Sequence, residues 1–248
     1  MLVYLVNINL KIQSICSSTN DLAFQAANDG LDQGTSYLSY KQTKGRGRNN
    51  NKWNSLEGNL FLSTIIRPIK EKKHWQQLSL IVGYSIIQSL IDFGIKSKII
   101  ELKWPNDVLV DNKKISGILL ESSERFIVAG IGLNILKNPN DDQKWHTTKV
   151  NDHVNLNLSL EQIAYVILKK VFFNYKIWND KGFIYFKEKI NKYIKYRGDV
   201  ININFNSNTK SLRGILLGLG NNGFLMINSG TSILEYNSID SYHFVNKG

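Results

Sequence analysis

The sequence predicts an α+β protein with a mixed, largely antiparallel sheet, packed helices and a small C-terminal β-barrel. First, residues 99–135 alternate short apolar strand patterns with turns of a few residues, which favours antiparallel pairing. Second, residues 74–93 place apolar side chains at helical spacing. Third, short alternating strands interrupted by Gly and Asn begin at residue 197. We therefore predict two domains, residues 1–195 and 196–248.

The elements of the first half follow from local patterns. Residues 2–15 are apolar and β-branched, as in an opening strand. Ser18 or Thr19 is placed to cap a helix that runs to about Asn28, with Gly30 as its C-terminal stop. Two further strands are predicted, at Thr35–Gln42 and Leu60–Arg67.

The second half begins with the antiparallel block and continues into helices. Its strands are predicted at 99–103, 108–110, 115–121 and 126–135. Pro105 keeps Trp104 out of the α region, so the chain bends between the first two of these strands. Ser159 opens a capping-box sequence, SLEQ, which predicts a helix to about Asn179. A second helix is expected at about 181–193, and residues 137–157 are predicted to be loop with room for a helical turn.

The composition limits the classes of function. The formal net charge of +11 attracts anions, but the lysines are scattered, so charge alone does not identify a partner. The single cysteine, Cys16, excludes an internal disulfide and a Cys-based zinc site and fits a reducing compartment. No apolar run approaches the roughly 18 residues of a membrane span, and the N-terminus lacks signal-peptide features. We expect a cytoplasmic protein without a membrane segment.

The segment 41–53, KQTKGRGRNNNKW, is the most distinctive part of the sequence. Its glycines allow close backbone approach to a ligand, and its arginines present planar donors that match a carboxylate or phosphate. Such a polar loop cannot pack in a core. It is therefore either a basic surface loop or a clamp for an anion.

Other polar groups stand at predicted bends between strands. Each has an ordinary structural explanation by itself, such as a helix cap, an exposed turn lysine or a strand irregularity. Phosphate-loop, dinucleotide, metalloprotease and serine-hydrolase motifs are absent from the sequence. The remaining groups are STN at 18–20, KWPND at 103–107, KKISG at 113–117 and GIGLN at 130–134.

The order of these motifs resembles that of the biotin protein ligases, also called biotin–[acetyl-CoA-carboxylase] ligases. STN, QTxGRGR with a following tryptophan, KWPND, KKISGIL and GIGLN occur in the family's sequence order. The resemblance implies a biotin/lipoate ligase-like catalytic domain with a C-terminal SH3-like barrel. Because no segment for a DNA-binding domain precedes the first strand, we expect a monofunctional form. The run Asn49–Asn51 departs from relatives that carry arginine or glycine there.

The resemblance also implies the reaction and the roles of individual residues. Biotin is adenylated by ATP, with Mg²⁺, and then transferred to a lysine of a biotin carboxyl carrier protein. Lys114, Arg48 and Asp107 are the implied catalytic residues, with Mg²⁺ near Asp107 and its other ligands unknown. The implied biotin and adenylate contacts also include Ser18, Thr19, Asn20, Gln42, Gly45, Arg46, Gly47, Trp53 and Gly117. The implied nucleotide contacts are Lys103, Asn106 and Asn134.

Two other functions remain open at this point. A lipoate or octanoate ligase would share the catalytic fold and the strand lysine, although GRGRNNNKW and KWPND favour biotin. A basic nucleic-acid-binding module without catalysis would also suit the net charge, but the basic residues lack interleaved aromatics. We expect a carboxylase carrier protein as partner and no specific DNA binding, and a homodimer stays open.

Overall fold

The computed structural model describes residues 6–139, 146–205, 210–239 and 241–245. The chain divides into two compact units, Met1–Asp180 and Lys181–Gly248. The predicted opening strand at 2–15 falls partly outside the described residues. Its described part forms β1 over Asn9–Gln13.

The first unit is built on a seven-stranded sheet in the order β1-β2-β3-β7-β6-β5-β4. Among the described strands of this sheet, β1 and β2 pair in parallel and every other neighbouring pair is antiparallel. This confirms the mixed, largely antiparallel α+β prediction. The strands after β1 are β2 Thr35–Ser39, β3 Leu60–Ile66, β4 Ile100–Lys103, β5 Asp107–Val110, β6 Lys113–Ser122 and β7 Ile127–Leu133.

Three helices pack on this unit. They are α1 Thr19–Asn28, α2 Gln77–Asp92 and α3 Leu160–Lys181. The apolar residues at helical spacing in α2 include Leu78, Val82 and Ile86, which are fully buried, so that stripe is core as predicted. No helix that the structure describes is both long and apolar enough to cross a membrane.

The two predicted helix caps have different outcomes. Ser159 and Gln162 exchange hydrogen bonds: the Ser159 amide donates to Gln162 Oε1 at 2.8 Å, and the Gln162 amide donates to Ser159 Oγ at 3.3 Å. The capping box is therefore confirmed. Ser18 occupies the N-cap position of α1, yet its side chain makes no capping hydrogen bond. The start of α1 is thus held by other contacts.

Some predicted boundaries shift for local reasons. The strand predicted to reach Gln42 ends at Ser39, whose hydroxyl donates to Lys41 O at 2.8 Å and turns the chain. The helix predicted from His74 begins at Gln77, since residues 72–74 form a separate 3₁₀ turn. Such shifts of a few residues reflect side-chain hydrogen bonds that periodicity does not report.

The second unit contains α4, Ile184–Asn191, and a five-stranded antiparallel sheet in the order β11-β10-β9-β8-β12. The described strands of this sheet leave β11 and β12 as its two edges, so it is open, whereas the prediction was a closed barrel. The all-β texture predicted from residue 197 is confirmed. The strands are β8 Val200–Phe205, β9 Lys210–Leu219, β10 Leu225–Asn228, β11 Ile233–Tyr236 and β12 Ser241–Phe244.

Candidate active site

The N-terminus of α1 meets the sheet at a group of uncharged polar side chains, which we call the neutral cluster: Thr19, Asn20, Gln42, Ser55 and Ser63. Thr19, Asn20 and Ser63 are buried. The Thr19 amide donates to Gln42 Oε1 at 2.8 Å, and Thr19 Oγ1 lies 3.1 Å from the same oxygen. Gln42 Nε2 donates to Ser55 Oγ at 3.1 Å. Three of the predicted site residues therefore meet in one hydrogen-bonded group.

Ser63 sets the direction of the hydrogen bonds in the neutral cluster. Its Oγ lies 2.7 Å from Thr19 Oγ1 and 2.6 Å from Asn20 Oδ1. A hydroxyl donates one proton and an amide oxygen only accepts, so Ser63 donates to Asn20. The Thr19 hydroxyl keeps its own proton to donate. The cluster thus has defined donors and acceptors.

Three glycines on β6 and β7 line the base of the site, and we call them the glycine floor: Gly117, Gly130 and Gly132. Gly117 and Gly132 pair directly across the two strands. A Cβ on Gly130 would lie 2.1 Å from Asn20 Oδ1, and one on Gly132 would lie 2.4 Å from the Trp53 ring. A Cβ on Gly117 would also approach that ring, at 2.8 Å. Side chains at these positions would therefore displace Asn20 or Trp53.

The Arg-Gly segment forms a small hairpin, residues 45–53, which we call the hairpin. Its closing backbone bonds run from Trp53 N to Gly45 O at 3.0 Å and from Gly47 N to Asn51 O at 2.7 Å. Asn49 at the tip has φ 53° and ψ 36°, a left-handed conformation that Asn adopts more readily than most residues. The asparagine run that departs from the family pattern thus suits the turn.

Arg46 is held by two carboxylates. Its guanidinium contacts both oxygens of Glu121 at 2.9 Å and Asp21 Oδ1 at 2.6 Å. The Asp21 side chain is 47% exposed and that of Glu121 only 29%, so the pair with Glu121 is the better sheltered. The hydrogen bond to Asp21, with a further contribution from Glu121, raises the pKa of Arg46 above its ordinary value. These contacts tie the hairpin to α1 and β6.

Arg48, Asp107 and Lys114 form a second group, which we call the charged cluster. Lys114 Nζ lies 2.8 Å from Asp107 Oδ1, yet among the described residues that oxygen makes no hydrogen bond of normal geometry. We therefore treat the contact as an ion pair and not as a directed hydrogen bond. Burial lowers the pKa of Arg48, an effect that the nearby charge of Asp107 opposes. Two cations face one carboxylate, which leaves a net positive charge.

Trp53 closes the charged cluster from the hairpin side. Lys114 Nζ lies 5.4 Å from the centroid of its ring, within cation–π range. Trp53 Nε1 is buried and has no hydrogen-bond partner in the part of the chain that the structure describes. A buried donor without a partner is costly, so this edge of the ring is suited to a ligand acceptor.

The remaining predicted residues lie at the margins of the site. Lys103 is buried at the end of β4. Asn106 accepts from Arg48 Nη1 at 3.4 Å and donates to Ile118 O at 2.9 Å. Asn134 is buried and donates to Thr148 O at 3.0 Å, which holds the following loop to the sheet. Their contacts with nucleotide stay predictions.

Three residues of the site were missed from the sequence: Ser55, which bonds to the nearby Gln42, and Ser63 and Glu121, whose partners are distant. Ser63 stands in the apolar strand LFLSTIIR, and Glu121 ends KKISGILLE, where alternation already explains a polar residue. Both act through partners more than 40 positions away in the chain, Asn20 for Ser63 and Arg46 and Asn20 for Glu121. The only signal available was a hydroxyl within a continuous apolar strand, which is compatible with many structural roles.

The site therefore combines a buried, uncharged hydrogen-bonding end with a positively charged end, separated by a glycine floor. Among the residues that the structure describes, no three His, Cys, Asp or Glu side chains gather closely enough to hold a metal ion. Such a site suits an acid with an uncharged polar head and can stabilise negative charge that develops at its carboxyl end. The class is that of enzymes that bind and activate a carboxylic acid.

Comparisons with known proteins agree with this class. Residues 12–138, just over half of the chain, match the biotin/lipoate A/B protein ligase family, and the chain belongs to that family. It is 29% identical over 246 residues to the bifunctional ligase/repressor BirA of Bacillus subtilis, covering 94% of this chain and 73% of that protein. It is 33% identical over 136 residues to the biotin–[acetyl-CoA-carboxylase] ligase of Mycobacterium tuberculosis, covering 53% of this chain and 51% of that protein.

Solved structures resemble the whole fold. The biotin protein ligase of Aquifex aeolicus in complex with biotin and ATP superimposes with a TM-score of 0.83 at 29% identity, covering 96% of this chain and 99% of that one. The Leishmania major biotin protein ligase in complex with biotinyl-5-AMP has a TM-score of 0.68 at 21% identity, covering 93% of this chain and 99% of that one. The second likeness supports the fold alone.

Proposed function

We propose that this protein is an ATP-dependent ligase that adenylates biotin and transfers it to a lysine of a biotin carboxyl carrier protein. One observation carries the proposal: the neutral and charged clusters lie along the same glycine floor, with the hairpin over it. Biotin has an uncharged ureido ring at one end and a carboxylate at the other, so it matches both ends of the site. The relatives named as biotin ligases support the same substrate.

The neutral cluster suits the ureido ring because that ring has both a carbonyl acceptor and N–H donors. Thr19 and Ser63 provide hydroxyls, and Asn20 provides an amide, all buried where water does not compete. Ser18, with no capping hydrogen bond, provides another hydroxyl at the same helix end. A site built this way rejects analogues that leave its polar groups unpaired.

The charged cluster suits the adenylation step. A biotin carboxylate oxygen attacks the α-phosphorus of ATP, the bond to the leaving oxygen breaks, and pyrophosphate departs with the electron pair. Two anions must meet, so Lys114 and Arg48 lower the barrier by stabilising charge on the carboxylate and phosphate oxygens. Trp53 packs beside the resulting adenylate when the hairpin is closed, which excludes water from a hydrolysable mixed anhydride.

In the transfer step the neutral amine of a carrier lysine attacks the biotinyl carbonyl, the amide C–N bond forms, the C–O bond to AMP breaks so that AMP leaves, and the amine releases one proton to solvent. Asp107 forms an ion pair with Lys114 and is our candidate for orienting the incoming amine. Mg²⁺ enters with ATP as part of that substrate. Asp107 offers one oxygen ligand, and phosphate oxygens and water would supply the others.

The direct test is biotin transfer by the purified protein. With ATP, Mg²⁺ and a biotin carboxyl carrier domain, we expect covalent biotin on the carrier and one pyrophosphate per biotin, detected by mass spectrometry and a coupled assay. The matched control is a carrier domain whose acceptor lysine is changed to arginine, which should receive none. Absence of both pyrophosphate and transfer would contradict the proposal.

Lipoate or octanoate ligation is the nearest alternative, because the family includes lipoate ligases. Thermal stabilisation by biotin plus ATP, compared with lipoate plus ATP, distinguishes the two. A nucleic-acid-binding module would instead show salt-dependent DNA binding without pyrophosphate release.

Other features of the proposal concern the setting of the protein. We place it in the cytoplasm, where the free Cys16 stays reduced and carboxylase carriers are found. We interpret the five-stranded C-terminal sheet as the SH3-like module of the family. A sedimentation measurement would determine whether the protein forms a homodimer.

A further inference from the structure

Glu121 links the hairpin to the neutral cluster. One of its carboxylate oxygens, Oε2, accepts from Arg46 at 2.9 Å and from Asn20 Nδ2 at 2.7 Å. The other oxygen, Oε1, accepts from Arg46 Nε at 3.1 Å and from its Nη2 at 2.9 Å. One partly buried carboxylate therefore contacts both the arginine that closes the hairpin and a residue placed to bind the substrate head.

The charge of Glu121 determines which way the Asn20 amide faces. A carboxylate only accepts hydrogen bonds, so the Asn20 NH₂ group must point toward Glu121. This leaves Asn20 Oδ1 to accept from Ser63 and to lie over Gly130. Reversing the amide would set an oxygen against a carboxylate and a nitrogen against a hydroxyl proton. The orientation of Asn20 thus depends on Glu121.

The contacts form a ring that begins and ends on the same loop. From Arg46 they pass through Glu121, Asn20 and Ser63 to Thr19. From Thr19 they continue to Gln42 and Ser55, which flank the hairpin on its two sides. The hairpin is therefore attached to the neutral cluster at both of its ends.

We propose that Glu121 is a positioning residue that couples recognition of the substrate head to closure of the hairpin. This inference rests on the proposed function for the identity of the substrate, biotin. When Arg46 moves away, the Glu121 carboxylate is no longer held in place and can turn toward other hydrogen-bond donors. Asn20 then loses the acceptor that fixes the orientation of its amide. When Asn20 is held by a bound head group, Glu121 is held in place to receive Arg46. Binding and closure then favour each other.

The first test measures closure without any ligand. Trypsin cleaves after Lys44, Arg46, Arg48 and Lys52, and Glu121→Gln keeps every one of these sites. Glutamine also keeps the length of the side chain and an acceptor for Asn20, while removing the better sheltered of the two carboxylate charges that hold Arg46. We expect cleavage of the hairpin to be about tenfold faster in this variant, because charge-assisted bonds are the strong ones.

The matched control is Glu124→Gln. Glu124 is a carboxylate three residues further on, pairs with Lys72 and has a side chain that is 88% exposed. The Glu124→Gln variant removes the same charge from a residue outside the ring of contacts, so the rate of hairpin cleavage should stay at the wild-type value. Wild-type cleavage in Glu121→Gln, or equally fast cleavage in both variants, would overturn the role of Glu121 in closure.

The second test measures coupling by calorimetric titration without ATP, using biotin and biotinol, in which an alcohol replaces the carboxylate. Arg46→Met should lower the affinity for both ligands about tenfold, because the loss of Arg46 changes Glu121 and then Asn20, which binds the head group that the two ligands share. Glu121→Gln should do the same, and the double variant should be no weaker than either one. If Arg46→Met weakens biotin but not biotinol, Arg46 acts on the carboxylate directly and the coupling is overturned.

The two tests separate this inference from the proposed function. Failure of the wild-type protein to bind biotin in the titration would contradict the proposed function, while the trypsin comparison would still decide whether Glu121 closes the hairpin. Biotin binding and pyrophosphate release by the wild type, with variants that behave like wild type in both tests, would overturn only the role of Glu121.

Discussion

The two ends of the site differ in how completely their polar groups are paired. At the neutral end, short hydrogen bonds of 2.6 and 2.7 Å connect Ser63 to Asn20 and Thr19, all of them buried. At the charged end, Arg48 reaches Asn106 only at 3.4 Å, and Trp53 Nε1 has no partner among the described residues. The polar groups of the neutral end bond closely to one another, whereas among the described residues those of the charged end are less completely paired.

This difference indicates how the two ends share the work. A prearranged set of neutral hydrogen bonds costs little to desolvate and gives specificity for a substrate head. Two cations that share one carboxylate keep an excess of positive charge, which has its strongest effect when negative charge develops in a transition state. Changes at the charged end should therefore affect the rate of chemistry, and changes at the neutral end should affect biotin affinity.

Lys114→Ala tests this comparison with the largest expected effect. Loss of a cation that stabilises transition-state charge should lower the adenylation rate about 10³-fold, measured by pyrophosphate release, and leave biotin affinity without ATP within about threefold. Lys113→Ala, which removes an exposed neighbouring lysine, is the control. Near-normal pyrophosphate release from Lys114→Ala would remove this residue from the chemistry.

Arg48→Gly should have the next largest effect, on retention of the adenylate. Removing a half-buried guanidinium from the hairpin should speed adenylate release by about 10- to 100-fold. The variant loses hydrogen bonds between a charged group and the adenylate, which are stronger than neutral ones. The measurement is escape of radiolabelled biotinyl-5′-AMP and biotin labelling of non-cognate proteins. Lys52→Ala alters an exposed cation of the same hairpin and should retain the adenylate; unchanged retention in Arg48→Gly would exclude Arg48 from the closure.

Two glycine substitutions separate the ends of the site. Gly132→Ala puts a methyl group into the Trp53 ring, and Gly130→Ala puts one into Asn20. Overpacking costs about 1–3 kcal/mol, so each substitution should weaken ligand binding at its own end of the site about tenfold or more. Biotin titrations should show the loss mainly for Gly130→Ala, and adenylate retention mainly for Gly132→Ala. Equal losses in both measurements would mean that the two ends do not act separately.

Thr19→Val is expected to have the smallest effect. The two side chains have nearly the same shape, and the variant keeps the backbone bond to Gln42 while it removes a buried hydroxyl. Biotin affinity should fall about fivefold to tenfold, with adenylation at saturating biotin nearly unchanged. Thr43→Val, at an exposed position of the adjoining loop, should have no effect. A lower saturated rate in Thr19→Val would place this hydroxyl in the chemistry.

Much of the fold could be predicted from local patterns. The helical spacing in α2 and the SLEQ capping box of α3 depend on residues three or four positions apart, and both are confirmed. The barrel predicted for the C-terminal strands was not confirmed, since the described strands form an open sheet. Closure depends on whether the two edge strands, β11 and β12, meet in hydrogen-bonding register, and their being neighbours in the chain does not decide that.

The residues of the site also divide into those that local sequence identifies and those that it does not. The motifs around Arg46, Asp107 and Lys114 are contiguous in sequence, so family resemblance could identify them. Glu121 lies 75 positions from Arg46 and 101 from Asn20, and no local pattern connects the three. A carboxylate at the end of a strand has many ordinary explanations, and only its partners distinguish it.

The sequence by itself determined the secondary elements, the family and the chemical types of group available, because these follow from residue spacing and identity. The tertiary structure decided how those groups are paired: Arg46 with two carboxylates, Lys114 with Asp107, and Trp53 over bare glycine backbone. The reason is that such pairs are made across the sheet. Strand register and helix packing bring these groups together, with the charged atoms of each ion pair within 3 Å, and neither is encoded in any short segment.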